Sequence, residues 1–327
     1  MTAMSTRAKL GVVVASAVLL GAVAAGYAAR AGQAPRTPPP AGAEQAVTLT
    51  SGPRLLAITD RHVSTVAATD PAGPRMIAGL ECLRVYAAAG TGVCLKPETA
   101  WSYQVVVLDA TLRQTRAVSV PGLPNRARVS ASGRMVSWTT FVGGDSYTSS
   151  GFSTRTGILD ARTDTTVASL EEFAITRDGR GYRNADVNYW GVTFAADDNR
   201  FYATMATGGR RYLVRGDLAA RTVETLKENV ECPSLSPDGT RLAFKEAVDA
   251  DPAKGWRLSV LDLSSMRVTA TAEVRSVDDQ AAWLDNGKLA YTLRRDDGQP
   301  DVWGVAADGS GTPTLVIPGA ESPSPLT

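Results

Sequence analysis

From Ala46 onward the apolar residues fall in short runs rich in Val, Leu and Thr, parted by Gly, Asp, Asn, Ser and Pro. No long stretch keeps the i, i+3, i+4, i+7 spacing of an amphipathic helix, so the pattern predicts an all-β body. The runs also repeat. In Cys232-Pro-Ser-Leu-Ser-Pro-Asp-Gly-Thr-Arg-Leu-Ala-Phe244 two strands meet at a turn where Pro237 presets φ, Asp238 bonds its own backbone and Gly239 takes positive φ. Val129 to Trp138, Val192 to Ala203 and Ala282 to Tyr291 match it, and Leu83 to Leu95 is a weaker copy turning at Gly90. The turn anchors Gly90, Gly133, Asn199, Gly239 and Gly287 recur about every 45 residues, with one wider interval after Gly133.

A second hairpin follows each first one. Val107-Leu-Asp109, Gly157-Ile-Leu-Asp160, Val214-Arg-Gly-Asp217 and Ser259-Val-Leu-Asp262 each end a strand on an Asp that can close a turn through its side chain. Each period therefore holds four antiparallel strands, the size of one β-propeller blade. Counting predicts six blades, over residues 46–80, 81–122, 123–173, 188–230, 231–276 and 277–319. The strands expected of the first are Ala46 to Thr50, Leu55 to Thr59, Val63 to Ala67 and Arg75 to Ala78, and ring closure is open, with pairing of the amino-terminal strand into the last blade as one solution.

Leu235-Ser-Pro-Asp-Gly-Thr-Arg-Leu-Ala-Phe244 and Asp301-Val-Trp-Gly-Val-Ala-Ala-Asp-Gly-Ser-Gly311 resemble the two halves of the TolB-type, WD40-like propeller repeat. The resemblance implies an exported six-bladed propeller and brings no catalytic motif with it. TolB-type proteins carry an amino-terminal α/β domain, whereas here that place holds a different kind of segment. Residues 1–9 form a basic n-region with Arg7 and Lys9. Residues 10–29 carry no charge, and Arg30 follows. A helix crossing a ~30 Å hydrocarbon core needs about 20 residues, so length favours a transmembrane anchor. Ala29-Arg30-Ala31 also offers a small-x-small cleavage site, the mark of a signal peptide. Residues 30–45, with Pro35, Pro38, Pro39 and Pro40, read as an extended linker. Residues 46–319 are the propeller, and 320–327, rich in Ser and Pro, read as a frayed, disordered tail. The expected location is the cell membrane, single-pass, with the propeller on the extracytoplasmic side, or secretion if the segment is cut.

Charge sharpens this picture. The 327 residues carry 34 Lys plus Arg against 33 Asp plus Glu, a net of +1. Arg7, Lys9, Arg30 and Arg36 lie in the first 45 residues against Glu44 alone, so the exported body is slightly acidic and no nucleic acid partner is expected. The one His removes multi-histidine metal sites; His62 is expected on a strand, in a surface or hydrogen-bonded role. No cofactor or metal is expected, because Asp249, Asp251, Asp296 and Asp297 follow no calcium-loop spacing and there is no CxxC. No GxSxG occurs either. Cys82 and Cys94 flank a predicted hairpin and are placed to form a disulfide, with three buried reduced thiols as the other reading; Cys232 has no obvious partner.

Because strands a to d alternate in direction, a–b and c–d turns lie on one face of the ring and b–c and d–a connections on the other. The long connections, Lys96 to Ser102, Phe141 to Ser153, Arg177 to Tyr189 and Glu246 to Gly255, all belong to the second face. These loops or their margins carry Trp101, Tyr103, Tyr147, Tyr182, Tyr189, Trp190 and Trp256. Either they form a surface for protein, peptide or envelope polymer, or they plug gaps between blades. Arg210-Arg211 and Arg294-Arg295 read as exposed strand charges rather than an anion site. The expected function is a monomeric, non-enzymatic binding module; the alternative is a propeller hydrolase or lyase with a carboxylate or metal site at the channel mouth.

Overall fold

The computed structural model describes residues 46–99, 102–142 and 153–326. Six β-sheets arrange as the blades of a propeller, each antiparallel in its first four strands. Blade 1 contains β1 (Arg54–Thr59), β2 (His62–Ala67) and β3 (Met76–Glu81). Blade 2 is β4 (Arg84–Ala88), β5 (Thr91–Pro97), β6 (Tyr103–Leu108) and β7 (Gln114–Val120). Blade 3 is β8 (Leu123–Val129), β9 (Met135–Val142), β10 (Ser153–Asp160) and β11 (Thr165–Val167). β12 (Ala174–Arg177) and β13 (Arg180–Tyr182) precede blade 4, built on β14 (Asn188–Phe194), β15 (Arg200–Thr207), β16 (Arg210–Asp217) and β17 (Thr222–Glu228). Blade 5 is β18 (Glu231–Leu235), β19 (Arg241–Ala247), β20 (Trp256–Asp262) and β21 (Val268–Ala270). Blade 6 is β22 (Ala282–Trp283), β23 (Lys288–Arg294), β24 (Pro300–Ala306) and β25 (Thr314–Ile317), and the final strand is β26 (Glu321–Pro325).

Burial explains why the inner strands read as continuous apolar runs. Each blade is packed on both faces by its neighbours, so all seven residues of β14 are buried, while the outer strand β3 alternates half-buried with exposed positions. Val93, Leu95, Val105 and Val107 of blade 2 form one such inter-blade core with Ala127, Val129, Val136 and Trp138 of blade 3. A recurring device makes room for the large rings. Trp138 on β9 pairs with Gly157 on β10, and Phe201 on β15 pairs with Gly216 on β16. A Cβ on Gly216 would lie 2.0 Å from the Phe201 ring, so glycine is required there by close approach.

Two expectations about the chain change. Residues 320–326 are not a frayed tail: β26 pairs with β1 through Leu55↔Pro325, Leu56↔Ser324 and Ile58↔Glu321, becoming the innermost strand of blade 1. Residues 46–49 form no strand, although Val47 and Leu49 are buried with Leu326 in one cluster. Closure thus runs from the carboxyl-terminal strand into the first blade. Ser322 and Ser324 hold the seam, each hydroxyl donating to and accepting from a backbone group of β4, at Val85 and Ala87. Hydroxyls doing backbone work made this segment look like a polar tail. Second, Arg177 to Tyr189 is not a plain loop. β12 pairs in parallel with β17, and β13 with β12, so the insertion widens blade 4 to six strands.

Cys82, just before β4, is disulfide-bonded to Cys94 on β5. His62 Nδ1–H donates to the Asp60 carbonyl, 2.8 Å away, and its Nε2 lies 3.7 Å from Glu81. Among the described residues no helix is long and apolar enough to cross a membrane. The segment 10–29 lies outside them, as do the n-region and the linker.

Candidate functional site

Strand a of each blade starts at the b–c/d–a face and strand b returns to it, so early residues of one and late residues of the other converge at that end of the channel. There a cavity of about 470 Å³ opens. Its walls come from Asn125, Arg126 and Phe141 of blade 3, Trp190 and Arg211 of blade 4, Glu231, Cys232, Lys245, Pro252 and Trp256 of blade 5, and Asp278 on the connection to blade 6.

The floor is ionic. Lys245 Nζ donates to Asp278 Oδ1 at 2.5 Å and lies 3.4 Å from Glu231 Oε2. Arg211 Nε faces Glu231 Oε1 at 2.5 Å, and Arg126 reaches Asp278 Oδ1 at 3.4 Å. Trp256 covers the cations, with Lys245 Nζ 4.0 Å and the Arg211 guanidinium 6.0 Å from its ring centroid. Asp278, 68% exposed, stands at the rim; Glu231 is buried at 4%. Burial pushes the Glu231 carboxyl above its ordinary range against the pull of Lys245 and Arg211. Burial also acts on Asp278, but Lys245 and Arg126 outweigh it and hold that carboxyl low.

Deeper in the channel the same logic continues. Asp279 Oδ1 pairs with Arg84 at 3.0 Å, while its Oδ2 accepts the Thr292 N–H at 3.0 Å. Burial would raise this carboxyl, yet Arg84 and Arg126 bring it down to about 2. Arg128 donates to the Gln280 and Ala281 carbonyls at 2.7 and 2.9 Å and stacks 4.4 Å from the centre of the Tyr86 ring. Below the cavity the channel thus holds the Asp279–Arg84 ion pair and an Arg128 bonded to backbone carbonyls.

Of the aromatics singled out in the sequence, Trp190 and Trp256 line the cavity. Tyr189, one residue from Trp190, points the other way and is 1% exposed in the core shared with Phe194 and Met205. It is a packing residue, because successive strand side chains face opposite sides. Tyr103 packs half-buried against the core between blades 2 and 3. Tyr182 donates or accepts at Thr207 Oγ1, 2.8 Å away, tying the insertion to the β15–β16 turn. Trp101 and Tyr147 lie outside the described residues.

Sequence reading overlooked Arg126, Glu231, Cys232, Lys245 and Asp278, and assigned Arg211 to an exposed strand surface. Arg210 fits that assignment, bonding Glu228 at 3.2 Å, but Arg211 turns into the cavity. A signal was present in Asn125-Arg-Ala-Arg-Val129, where charge alternates with apolar residues on a buried inner strand. Charges on an inner strand face the channel. Cys232 also has an unusual backbone, with φ 49 in the left-handed region at an irregularity between Glu231 and Ser234. Blade 4 has Gly191 (φ 65) at the matching place and blade 1 has Ser322 (φ 58). A non-glycine residue there costs about 1–2 kcal/mol.

Comparison with known proteins now has a geometry to meet. The chain is 35% identical over 78 residues to a protein TolB homolog of Chlorobium luteolum, a match covering 24% of this chain and 16% of that relative. TolB of Acinetobacter baumannii superposes with a TM-score of 0.61 at 14% identity, over 83% of this chain and 66% of the other. The chain is a TolB-type six-bladed β-propeller in fold. A TolB candidate from Agrobacterium tumefaciens gives a TM-score of 0.50 at 11% identity, over 83% of this chain and 92% of its own. An oligogalacturonate lyase of Vibrio parahaemolyticus gives 0.50 at 9%, over 78% and 74%. No family model matches. The TolB-type fold thus frames the cavity, while its chemistry belongs to this chain's own residues.

Proposed function

We propose that this protein is an exported, membrane-tethered, non-enzymatic binding module that recognises a protein, peptide or envelope polymer at the channel mouth on its b–c/d–a face. The observation that carries the reading is the cavity of about 470 Å³, which joins Trp190, Trp256 and Phe141 to ionic groups from blades 3 to 6. Aromatic walls supply contact area at small entropic cost, and buried ion pairs supply orientation. A propeller hydrolase or lyase would need a carboxylate at its disposal as acid or base. The cavity's two carboxylates, Glu231 and Asp278, are instead each joined to two cations. Export is supported by the uncharged run 10–29 behind Arg7 and Lys9 and by the Cys82–Cys94 disulfide, which suits an oxidising compartment.

The test is affinity capture by the tagged full-length chain from solubilised envelope, run beside Trp256→Ala and Asp109→Asn. Truncating a central aromatic anchor costs about 2 kcal/mol or more, so capture should weaken at least about thirtyfold for Trp256→Ala. Asp109→Asn, on the opposite face, should capture as the parent does. Equal capture by all three would sink the reading.

A further inference from the structure

The cavity at the channel mouth is closed underneath. Below it the channel opens only into a space of about 10 Å³, lined by Arg84, Arg126, Arg128, Asp279 and Gln280, which is room for a single water. No extended chain threads through a space that small. A ligand therefore enters and leaves by the same opening, and a chain end meets that condition where a continuous polymer must fold back on itself.

Arg211 decides which end. Strand alternation turns it into the cavity, while Arg210 beside it points away to Glu228. Arg211 Nε faces Glu231, whereas its two terminal guanidinium nitrogens form no hydrogen bond among the described residues. The side chain is 23% exposed, so this fork is reachable from the cavity. Lys245 and Arg126, by contrast, both spend donors on Asp278. A guanidinium with both terminal nitrogens open is a two-pronged donor whose geometry matches a carboxylate. An ammonium group finds no such place. Glu231 and Asp278 each serve two cations already, and on the adjoining loop Asp249 bonds Lys254 and Asp251 accepts the Ala253 N–H. Phe141, Trp190 and Trp256 supply the apolar wall of the same space.

We propose that the cavity receives the carboxyl terminus of a polypeptide. The Arg211 fork holds the terminal carboxylate, and the last side chain, apolar or aromatic, lies against Trp190 and Trp256. Size agrees, since about 470 Å³ falls in the range that encloses a drug-sized ligand, roughly two or three residues. This ligand chemistry rests on the binding role proposed above and narrows it to one class of partner.

The experiment sets the purified full chain, in detergent, against random hexapeptides displayed in three forms. One is tethered by its amino end with a free carboxylate, the second is the same with a carboxamide, and the third is tethered by its carboxyl end with a free amine. Binding to the carboxylate form should exceed binding to the carboxamide form at least about tenfold, with apolar or aromatic last residues enriched among the bound sequences. Arg211→Gln should bring that ratio close to one, and Arg210→Gln should leave it unchanged. The ratio is measured first on the unaltered chain, so it remains decisive even if Arg211→Gln, which strips Glu231 of a cation, folds poorly. No binding in any form, equal binding of carboxylate and carboxamide, or a preference for free amines would overturn the proposal. So would a ratio that survives in folded Arg211→Gln. If Trp256→Ala still weakens envelope capture while the ratio is one, the binding role stands and its ligand is not a chain end. A carboxylate preference beside envelope capture that no variant changes is the reverse result, and it leaves the carboxylate site standing without that role.

Discussion

Acids in the tight a–b and c–d turns and acids in the channel are used in opposite ways. On the a–b/c–d face Asp109, Asp262 and Asp308 each close the turn they belong to. Asp109 accepts the N–H groups of Thr111 and Arg113 at 2.8 and 3.0 Å, Asp262 those of Ser264 and Ser265 at 3.1 and 2.8 Å, and Asp308 that of Ser310 at 2.9 Å. Ser236, Thr240 and the Thr240 N–H bring Asp238 down to about 2, and Thr111 and its neighbours do the same for Asp109. At the channel on the b–c/d–a face two acids bind partners far away in sequence, Asp278 to Lys245 and Arg126 and Asp279 to Arg84. Local closure builds tight turns that consume Asp109, Asp262 and Asp308 in place. Cross-ring closure builds a charged mouth where side chains of separate blades meet, and that is where ligand chemistry can be assembled.

Three experiments press on this contrast, from the largest effect to the smallest. Removing residues 320–327 takes away β26 and the seam hydrogen bonds to β4, leaving blade 1 without its inner strand. The expected result is loss of a single cooperative thermal transition, read by circular dichroism; an unchanged melt would show that the ring does not depend on its long-range closure. Next, Asp279→Ala leaves half-buried Arg84 without its carboxylate and should cost about 3 kcal/mol in denaturant unfolding. Asp262→Ala on the turn face should be much milder, and equal costs would erase the distinction between the faces.

The third is pH. Asp109, Asp238 and Asp279 have folded values of about 2 against 3.8 when free, so their contribution is complete above pH 4 and is lost as pH falls towards 2. Glu231 runs the other way. Its raised value favours the protonated form in the folded chain, so its contribution is present below pH 4.5 and lost as pH rises above it. Unfolding free energy should therefore drop between pH 4 and 2, and Glu231→Gln should remove only a weaker loss on the side above pH 4.5. A stability flat across the acid range would contradict both.

Much of the molecule was legible beforehand, because the features that announced it are local. Ser236 to Arg241 writes a turn within six residues: the Asp238 carboxylate, the Gly239 φ of 71 and the flanking strands are all fixed by neighbours in the chain. Repeating that unit gives the blade count. The β12–β13 hairpin reads as loop in the sequence because its strands are short and Arg-rich, with the edge they pair to supplied by β17. Trp190 and Trp256 were found at the mouth, but Tyr189 was grouped with them until the strand's alternation placed it in the core.

The sequence alone determined the kind of blade, their number and the face that carries the long connections, since hydrophobic period and turn chemistry act over a few residues. Only the tertiary structure decided which strand closes the ring, because Ser322 and Ser324 acquire their role from backbone groups 237 positions away. It likewise decided that Arg126, Glu231, Cys232, Lys245 and Asp278 share one cavity. Each is an unremarkable polar residue in its own segment, and their chemistry exists only where six inner strands converge on one axis.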